Sequence, residues 1–371
     1  MKHRRALFAI IGVVVIAVVG WLIYRANVPP REEVIKIGAI LPLTGNLSVI
    51  GEPERITIEL FRKLNPDSKI DIRIEDSQGD PKQAVSIVNR MAHIEGIKFF
   101  IVSTSPSILS SIPIIKTING ILFAITSTPD ISDGKNVFQI CPNSRDEMLA
   151  LAQWMKGEGI DSVAFIYPNN EFGQMIWDIF KRHYHGYITF SEAYQIGSTD
   201  FKALLTKLRD KQPRWISFQG YPNDIPVFIR QARELGIQSK FITSLATTWP
   251  STVKNLSTLG EMPVFMAPLV MLEQTRSSQA YRFREEFLAH AGTSPNWDAY
   301  YVYEVLQILR NFSTVCETCG PDELRQYLLS TDHATLSGSM RIDQQGAAKV
   351  QLTPATIRNG EIVQWSVSNG H

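Results

Sequence analysis

This sequence predicts an α/β fold: two doubly wound lobes with parallel-rich sheets, preceded by one N-terminal transmembrane helix. Three observations lead there. Short apolar runs alternate with longer amphipathic stretches from Val34 onward, and the same rhythm restarts after Cys141-Pro142-Asn143. The third is length, since 371 residues suit two domains of roughly 150 residues each. Hydrophobic residues at 44% and charged ones at 20% supply sizeable cores and exclude a disordered or collagen-like chain. With 37 basic against 36 acidic side chains, no basic field attracts nucleic acid, and no such partner is expected.

Lys2, Arg4 and Arg5 precede an apolar run at 6–24. Its nineteen residues, at about 1.5 Å rise, cover roughly 28 Å, the thickness of a bilayer's hydrocarbon core. The run ends in Trp21-Leu22-Ile23-Tyr24-Arg25, bulky residues where a cleavage site takes small ones. Residues 1–25 therefore read as an uncleaved membrane anchor, with a cleaved signal peptide as the alternative. The basic cluster keeps the cytoplasmic side, which puts everything after Ala26 outside. No cysteine follows the run to carry a lipid. Residues 26–33, polar and Pro-rich, make a short stiff linker. Without 1–25 the chain holds 33 basic and 36 acidic side chains, a mildly acidic body.

The first unit reads in order as a strand over Val34–Leu41 and a helix over Glu54–Leu64. A strand over Ile70–Ile74 and a helix over Pro81–Ile94, with Pro in its first turn, follow. A strand at Phe99–Val102, a helix at Ser107–Ile118 and a strand at Ile121–Ile125 complete it. Such alternation implies right-handed crossovers and parallel strands. In the second unit, helices over Asp146–Lys156, Glu171–His183, Phe201–Arg209 and Asp224–Leu235 alternate with extended segments. Those segments are Ser162–Tyr167, Tyr187–Tyr194, Trp215–Phe218 and one beginning at Phe241. The tail adds helices at Gln279–Ala291, Trp297–Phe312 and Asp322–Leu329, then a β-like end over Met340–Val367.

Catalytic signatures are missing. There is no phosphate-cradling loop ending in Lys-Ser or Lys-Thr, no G-x-G-x-x-G, no G-x-S-x-G and no H-E-x-x-H. His183-Tyr184-His185 puts its two imidazoles on neighbouring helix positions that point apart, so they read as surface rather than metal ligands. Cys316-Glu317-Thr318-Cys319 has the spacing of a redox pair or half a zinc site. Outside the membrane a local structural disulfide is the plainer reading. Cys141 reads as a buried free thiol. No enzyme, cofactor or metal is expected.

In open α/β sheets, ligands sit beyond the carboxyl ends of the strands. Here those loops are rich in hydroxyls: Ser103-Thr104-Ser105-Pro106-Ser107 after one strand, Thr126-Ser127-Thr128-Pro129-Asp130 after its neighbour. Hydroxyls and backbone N–H groups at a helix start suit a carboxylate, although the same residues are ordinary helix caps. The second unit offers aromatic residues instead, in Tyr167-Pro168-Asn169-Asn170-Glu171-Phe172-Gly173 and Gln219-Gly220-Tyr221-Pro222. Together the two sets could grip a small amphipathic molecule, with core packing as the competing role for Phe172.

From Val34 to Val367 the chain resembles the type I periplasmic substrate-binding proteins of ABC transporters, in the leucine/isoleucine/valine-binding branch. The resemblance rests on an ordered series: Ile35-Lys36-Ile37-Gly38-Ala39-Ile40-Leu41-Pro42-Leu43-Thr44-Gly45, Glu75-Asp76-Ser77-Gln78-Gly79-Asp80-Pro81 and Gly120-Ile121-Leu122. It continues through Asn170-Glu171-Phe172-Gly173, Thr199-Asp200-Phe201, Arg230-Gln231-Ala232-Arg233-Glu234-Leu235-Gly236 and Trp297-Asp298-Ala299. It implies two lobes joined by hinge strands, residues 34–140 plus about 269–340 and residues 141–268 plus about 341–368, closing on a ligand. By position it implies ligand contacts from Ser105, Ser107, Thr126 and Ser127 in the first lobe, and from Phe172 and Tyr221 in the second.

Departures from the family pattern are informative. Leu245 stands where the family often has an acid for the ligand ammonium, Phe172 lacks the usual hydroxyl, and Ile50 replaces an aromatic. An ammonium without that acid forfeits a charge-assisted bond worth about 1.5–3 kcal/mol. The expected ligand is therefore a small carboxylate, amide or similar polar solute rather than a plain α-amino acid. The expected partner is a membrane permease that takes the cargo; a membrane-tethered sensor signalling to another membrane protein is the alternative.

Overall fold

The computed structural model describes residues 34–272, 278–336 and 338–366. The expected anchor or signal segment at 1–25 and the linker at 26–33 lie outside them. Among the described residues no helix is long and apolar enough to cross a membrane.

The first sheet contains β1 (Ile35–Leu41), β2 (Ile70–Asp76), β3 (Phe99–Ser103), β4 (Ile121–Ile125) and β5 (Val137–Phe138). Their order is β2-β1-β3-β4-β5 and every pairing is parallel. Parallel strands need crossovers, and the helices that cross leave both faces buried, which is why these strands read as continuous apolar runs. The crossovers are α1 (Ser48–Leu64), α2 (Pro81–His93) and α3 (Ser105–Thr117). Side chains alternate between two cores: Ile37, Ala39, Ile101 and Phe123 on one face, Ile40, Phe100, Val102 and Leu122 on the other.

The second unit repeats the plan. It runs α4 (Ser144–Gly157), β6 (Ser162–Pro168), α5 (Glu171–His183), β7 (Tyr187–Tyr194), α6 (Lys202–Arg209), β8 (Trp215–Phe218), α7 (Asp224–Glu234), β9 (Lys240–Thr243) and α8 (Pro250–Thr258). The strands pair in parallel in the order β7-β6-β8-β9. A bridge between Ile242 and Val264 carries β9 on to an antiparallel trio, β10 (Phe265–Pro268), β13 (Leu352–Arg358) and β14 (Glu361–Gln364). Between them the chain forms α9 (Leu269–Leu272), α10 (Gln279–Ala291), α11 (Trp297–Ser313), α12 (Pro321–Ser330), β11 (His333–Thr335) and β12 (Gly338–Met340). Helices α10 and α11 return to the first core, where Phe283, Phe287, Tyr301, Leu306 and Leu309 are buried.

Two connecting segments run side by side, Gln139 bridging Ala347, with the Gln139 N–H donating to the Gly346 carbonyl and the Ala348 N–H to the Gln139 carbonyl. Cys141 lies in the first of them, a buried free thiol whose pKa burial pushes up to about 12. Cys316 and Cys319 form a disulfide just after α11. His183 and His185 are exposed on either side of buried Tyr184.

Some boundaries differ from the sequence reading. Helix α1 starts six residues earlier than expected and carries Pro53 within it. Pro is favoured in the first turn of a helix and disfavoured further in. The preceding turn forms nonetheless, because Gly51 packs where a Cβ would lie 2.3 Å from the Pro42 carbonyl oxygen. The short α8 and β10 were not expected, since nine largely polar residues and a four-residue run carry little periodic signal.

Candidate functional site

Strands β3 and β4 pair through Ser103 and Ile125, so the loops that follow them leave the sheet side by side. Thr104 holds a left-handed backbone (φ +70°) that turns the chain into α3, and its hydroxyl donates to Ser107 Oγ at 3.0 Å. Ser105 meets the neighbouring loop: its Oγ lies 2.8 Å from Thr126 Oγ1 and 2.6 Å from Thr128 Oγ1. These three hydroxyls form one half-buried group. Behind it, Gln139 Nε2 donates to the Thr126 and Thr128 carbonyls at 2.6 and 3.0 Å, and Cys141 Sγ to the Thr126 carbonyl at 3.2 Å. The loop is thus fixed from the connecting segment.

Beneath β3 sit two buried acids. Ser103 Oγ donates to Glu54, whose other carboxylate oxygen is buried and unpartnered. Burial, and then the charge of Asp298, drives the Glu54 carboxyl well above the carboxylate range; burial does the same to Asp298. Asp298 accepts from Asn296 Nδ2 at 3.1 Å. Burial of both acids thus favours their protonated forms.

The second sheet presents a different surface. At the start of α5, Asn170 caps the helix by accepting from the Gly173 N–H at 2.8 Å. Gly173 lies where a Cβ would fall 1.8 Å from the Pro168 carbonyl oxygen, so only glycine lets the helix begin this close to β6. Phe172 and Tyr221 stand 6.4 Å apart, tilted by 43°, and Asn170 Nδ2 donates to Tyr221 Oη at 3.3 Å. The Tyr221 loop is held by Tyr194, whose hydroxyl donates to Asp224 at 2.8 Å and accepts from the Tyr221 N–H at 3.3 Å. Burial raises the Asp224 carboxyl against that hydroxyl's opposing effect.

Leu245 opens the 3-10 turn Leu245–Thr248 after β9 and is 5% exposed. It packs in the same core as Phe138, Ile140 and Cys141. Its N–H donates at 2.6 Å to Glu147 Oε1 on α4. Nearby, Trp249 meets Trp297 of α11 edge-on at 6.0 Å.

The seven expected residues fall into separate settings. Ser105 and Thr126 touch. Ser127 is half-buried, and its carbonyl accepts from the Ser144 N–H at 2.8 Å. Phe172 and Tyr221 form a pair. Ser107 is fully buried, accepting from Thr104 and offering its carbonyl to Ser110 and Ser111. Its hydroxyl sits inside the first turn of α3 and among the described residues meets only Thr104, so it neither caps the helix nor reaches the neighbouring loop. Among the described residues no hydrogen bond joins the Ser105–Thr126 group to Phe172 or Tyr221. Two polar participants escaped the sequence reading. Thr128 looked like one more loop hydroxyl. Glu147 could have been found, because it shares a helix face with Leu151 and Met155, a buried register.

Chemically, among the described residues the Ser105 hydroxyl has only other hydroxyls as partners, and none of them is a base that could activate it as a nucleophile. The trio can donate to and accept from a polar group, and the aromatic pair can cover an apolar one. A cavity of about 870 Å³ lies elsewhere, between α8, α10 and the β13–β14 turn, and includes none of the seven residues.

Comparison with known proteins gives concordant findings. A family model described as periplasmic binding protein matches residues 34–314. The chain is 28% identical over 219 residues to Leu/Ile/Val-binding protein homolog 3 of Brucella melitensis, a match covering 55% of this chain and 59% of that one. Among solved structures, the leucine binding protein LivK from Thermotoga maritima superposes with a TM-score of 0.77 at 20% identity, covering 90% of this chain and 98% of its own. A solute binding protein of an ABC transporter from Rhodopseudomonas palustris, in complex with 3,4-dihydroxy benzoic acid, also gives 0.77, at 16% identity over 90% of this chain and 97% of its own.

Proposed function

The chain belongs to the periplasmic binding protein family, and from that premise we propose that it is an extracytoplasmic receptor for a small polar solute. It binds the solute between two lobes and delivers it to an ABC transporter permease. The lobes are residues 34–140 plus about 269–340 and residues 141–268 plus about 341–368. One observation carries the reading: both sheets present their distinctive side chains at the carboxyl ends of their strands, hydroxyls after β3 and β4, aromatic rings after β6 and β8. Ser105, Thr126 and Ser127 hold the solute's polar end, while Phe172, Tyr221 and Leu245 cover its body. The Ser107 hydroxyl supports the loop from behind rather than touching the solute.

A solute that contacts both lobes binds the closed arrangement better than the open one and shifts the balance toward it. Micromolar affinity requires about 8 kcal/mol, within reach of a few hydrogen bonds and one aromatic cover. The solute undergoes no chemistry. The relatives' printed names concern branched-chain amino acids and a benzoic acid, which supports a carboxylate, amide or amino-acid-like ligand for this chain. The apolar run at 6–24 supports tethering to the membrane and favours, as a second reading, a sensor that signals to a membrane partner.

Calorimetry and small-angle scattering with a panel of amino acids, aromatic and aliphatic carboxylates, amides and urea-like compounds test this function. The expected result is a compound that binds at micromolar concentration and reduces the radius of gyration. Turnover of any compound, or an unchanged shape across the whole panel, overturns it. Genes encoding permease and ATPase subunits beside this one favour delivery; a kinase or cyclase favours sensing.

A further inference from the structure

The first turns of α4 bury polar atoms that neither the hydroxyl loops nor the aromatic pair use. Glu147 is 6% exposed, yet its side chain's one hydrogen bond among the described residues is the bond Oε1 accepts from the Leu245 N–H. Oε2 has no partner among them and is not one of the sealed, unpartnered atoms, so it borders open space. Ser144, one turn earlier on the helix, has a buried hydroxyl without a partner, while its N–H donates to the Ser127 carbonyl. Glu147 therefore stands one helical turn from the residue that bonds Ser127 and is itself bonded to Leu245, and Ser127 and Leu245 are both proposed to line the solute site.

Among the described residues no cation pairs with it. On its own helix, Arg145 pairs with Asp130 and Asp146 accepts from Asn143. The segment from Thr243 to Trp249 has no titratable side chain. Of the strands against α4, β10 has none, and β13 ends in an exposed Arg358. The charged residues of α5, Glu171, Asp178, Lys181, Arg182 and His183, are all exposed. A buried carboxylate without a cation is strongly unfavourable, so in the absence of a partner Glu147 favours its protonated form, and a donor brought to it would stabilise the charged one.

We infer that this partner is the solute: Glu147 is a specificity-determining contact that accepts an N–H from a protonated amine or an amide placed beside Leu245. The inference rests on the receptor reading above and narrows its ligand class to solutes that pair a polar acceptor end with an N–H donor. It also supplies a carboxylate from α4 where the loop after β9 offers Leu245. Burial pushes the Glu147 carboxyl up to about 7, against the lowering effect of the Leu245 N–H. A donor that binds the carboxylate form displaces a proton to solvent. Affinity for an N–H-bearing solute then rises about tenfold per pH unit up to about 7 and levels off above it.

Titration calorimetry on the full chain from pH 5.5 to 8.5 tests this with two matched pairs: leucine against 4-methylpentanoate, and benzamide against benzoate. In the pair that binds, the N–H-bearing member is expected to bind at least about tenfold tighter at pH 8. It should also show the pH slope and release a proton, read from buffers of different ionisation enthalpy. E147Q, nearly isosteric and still able to accept from Leu245, should lose the slope and the proton release. E147D should keep the slope with weaker affinity, which separates the carboxylate's role from simple packing. Preference for the member lacking the N–H, a flat pH profile, or a slope that survives in a natively folded E147Q overturns the inference. Binding by none of the four probes also overturns it, whereas only failure of the broader panel removes the receptor reading.

Discussion

After β3 and β4 the first sheet releases loops rich in hydroxyls, whereas after β6 and β8 the second releases aromatic rings. The two regions occupy equivalent places in their sheets but are anchored differently. Ser105, Thr126 and Thr128 are cross-linked to one another and tied from behind by Gln139 and Cys141, above the buried Glu54–Asp298 pair. Phe172 and Tyr221 are half-buried and rest on a helix cap and one Tyr194–Asp224 contact. In the proposed receptor, a hydroxyl loop of this kind would carry stability and recognition together. A half-buried aromatic pair held this lightly can be altered with little cost to the fold.

Several measurements can break that contrast or sharpen it. The largest effect concerns buried acid, concentrated around the hydroxyl loops and α4. Glu147, Glu54 and Asp298 are all raised, so the unfolded chain releases their protons first. For Glu147 the stability this confers is complete below about pH 4.5 and is lost as pH rises through about 7, roughly 3 kcal/mol; Glu54 and Asp298 add to it in the same direction. Urea melts without solute should show a more stable protein at pH 5 than at pH 8, and E147Q should narrow the gap. Asp76 works in the opposite sense. Burial raises its carboxyl, but the Thr44 hydroxyl and the Gln78, Leu43 and Thr44 N–H groups outweigh that and hold it low, so its contribution is lost only as pH falls below the ordinary carboxylate range.

Next comes the aromatic pair. Replacing Phe172 and Tyr221 together by Ala should weaken solute binding about a hundredfold while changing unfolding free energy by less than about 1 kcal/mol. A comparable loss of stability would erase the contrast. Thr126→Val removes one hydroxyl at nearly constant shape and strands its partners. Binding about tenfold weaker and a stability loss of about 1 kcal/mol should appear together in calorimetry and melts. Tyr194→Phe should cost about 1 kcal/mol of stability, with only a few-fold loss of affinity, because it loosens the Tyr221 loop without touching the solute. Smallest of all, Ser107→Ala should leave affinity unchanged; a tenfold loss would return Ser107 to the site.

Much of the fold was legible along the chain because its signals are local. Short apolar runs such as Phe99–Val102 and Ser162–Tyr167, set between longer amphipathic stretches, read as strands buried on both faces, and the helical stretch at Gln279–Ala291 is α10 with the same bounds. The site was legible only in part. The hydroxyl loops and aromatic motifs stood out as composition, but capping and binding use the same residues. Ser105 and Ser107, two positions apart, therefore looked alike until one was found against Thr126 and the other sealed in the core.

The sequence by itself determined which segments are strands, which helices cross between them, and that two such units follow one another, because those follow from periods of two and 3.6 residues. Only the tertiary structure decided which polar groups meet. Ser105 and Thr126 are 21 residues apart, and Glu147 and Leu245 are 98 apart. No local pattern encodes such pairings. They come from the order in which strands dock and from burial, which turns an ordinary helical glutamate into one that titrates near 7.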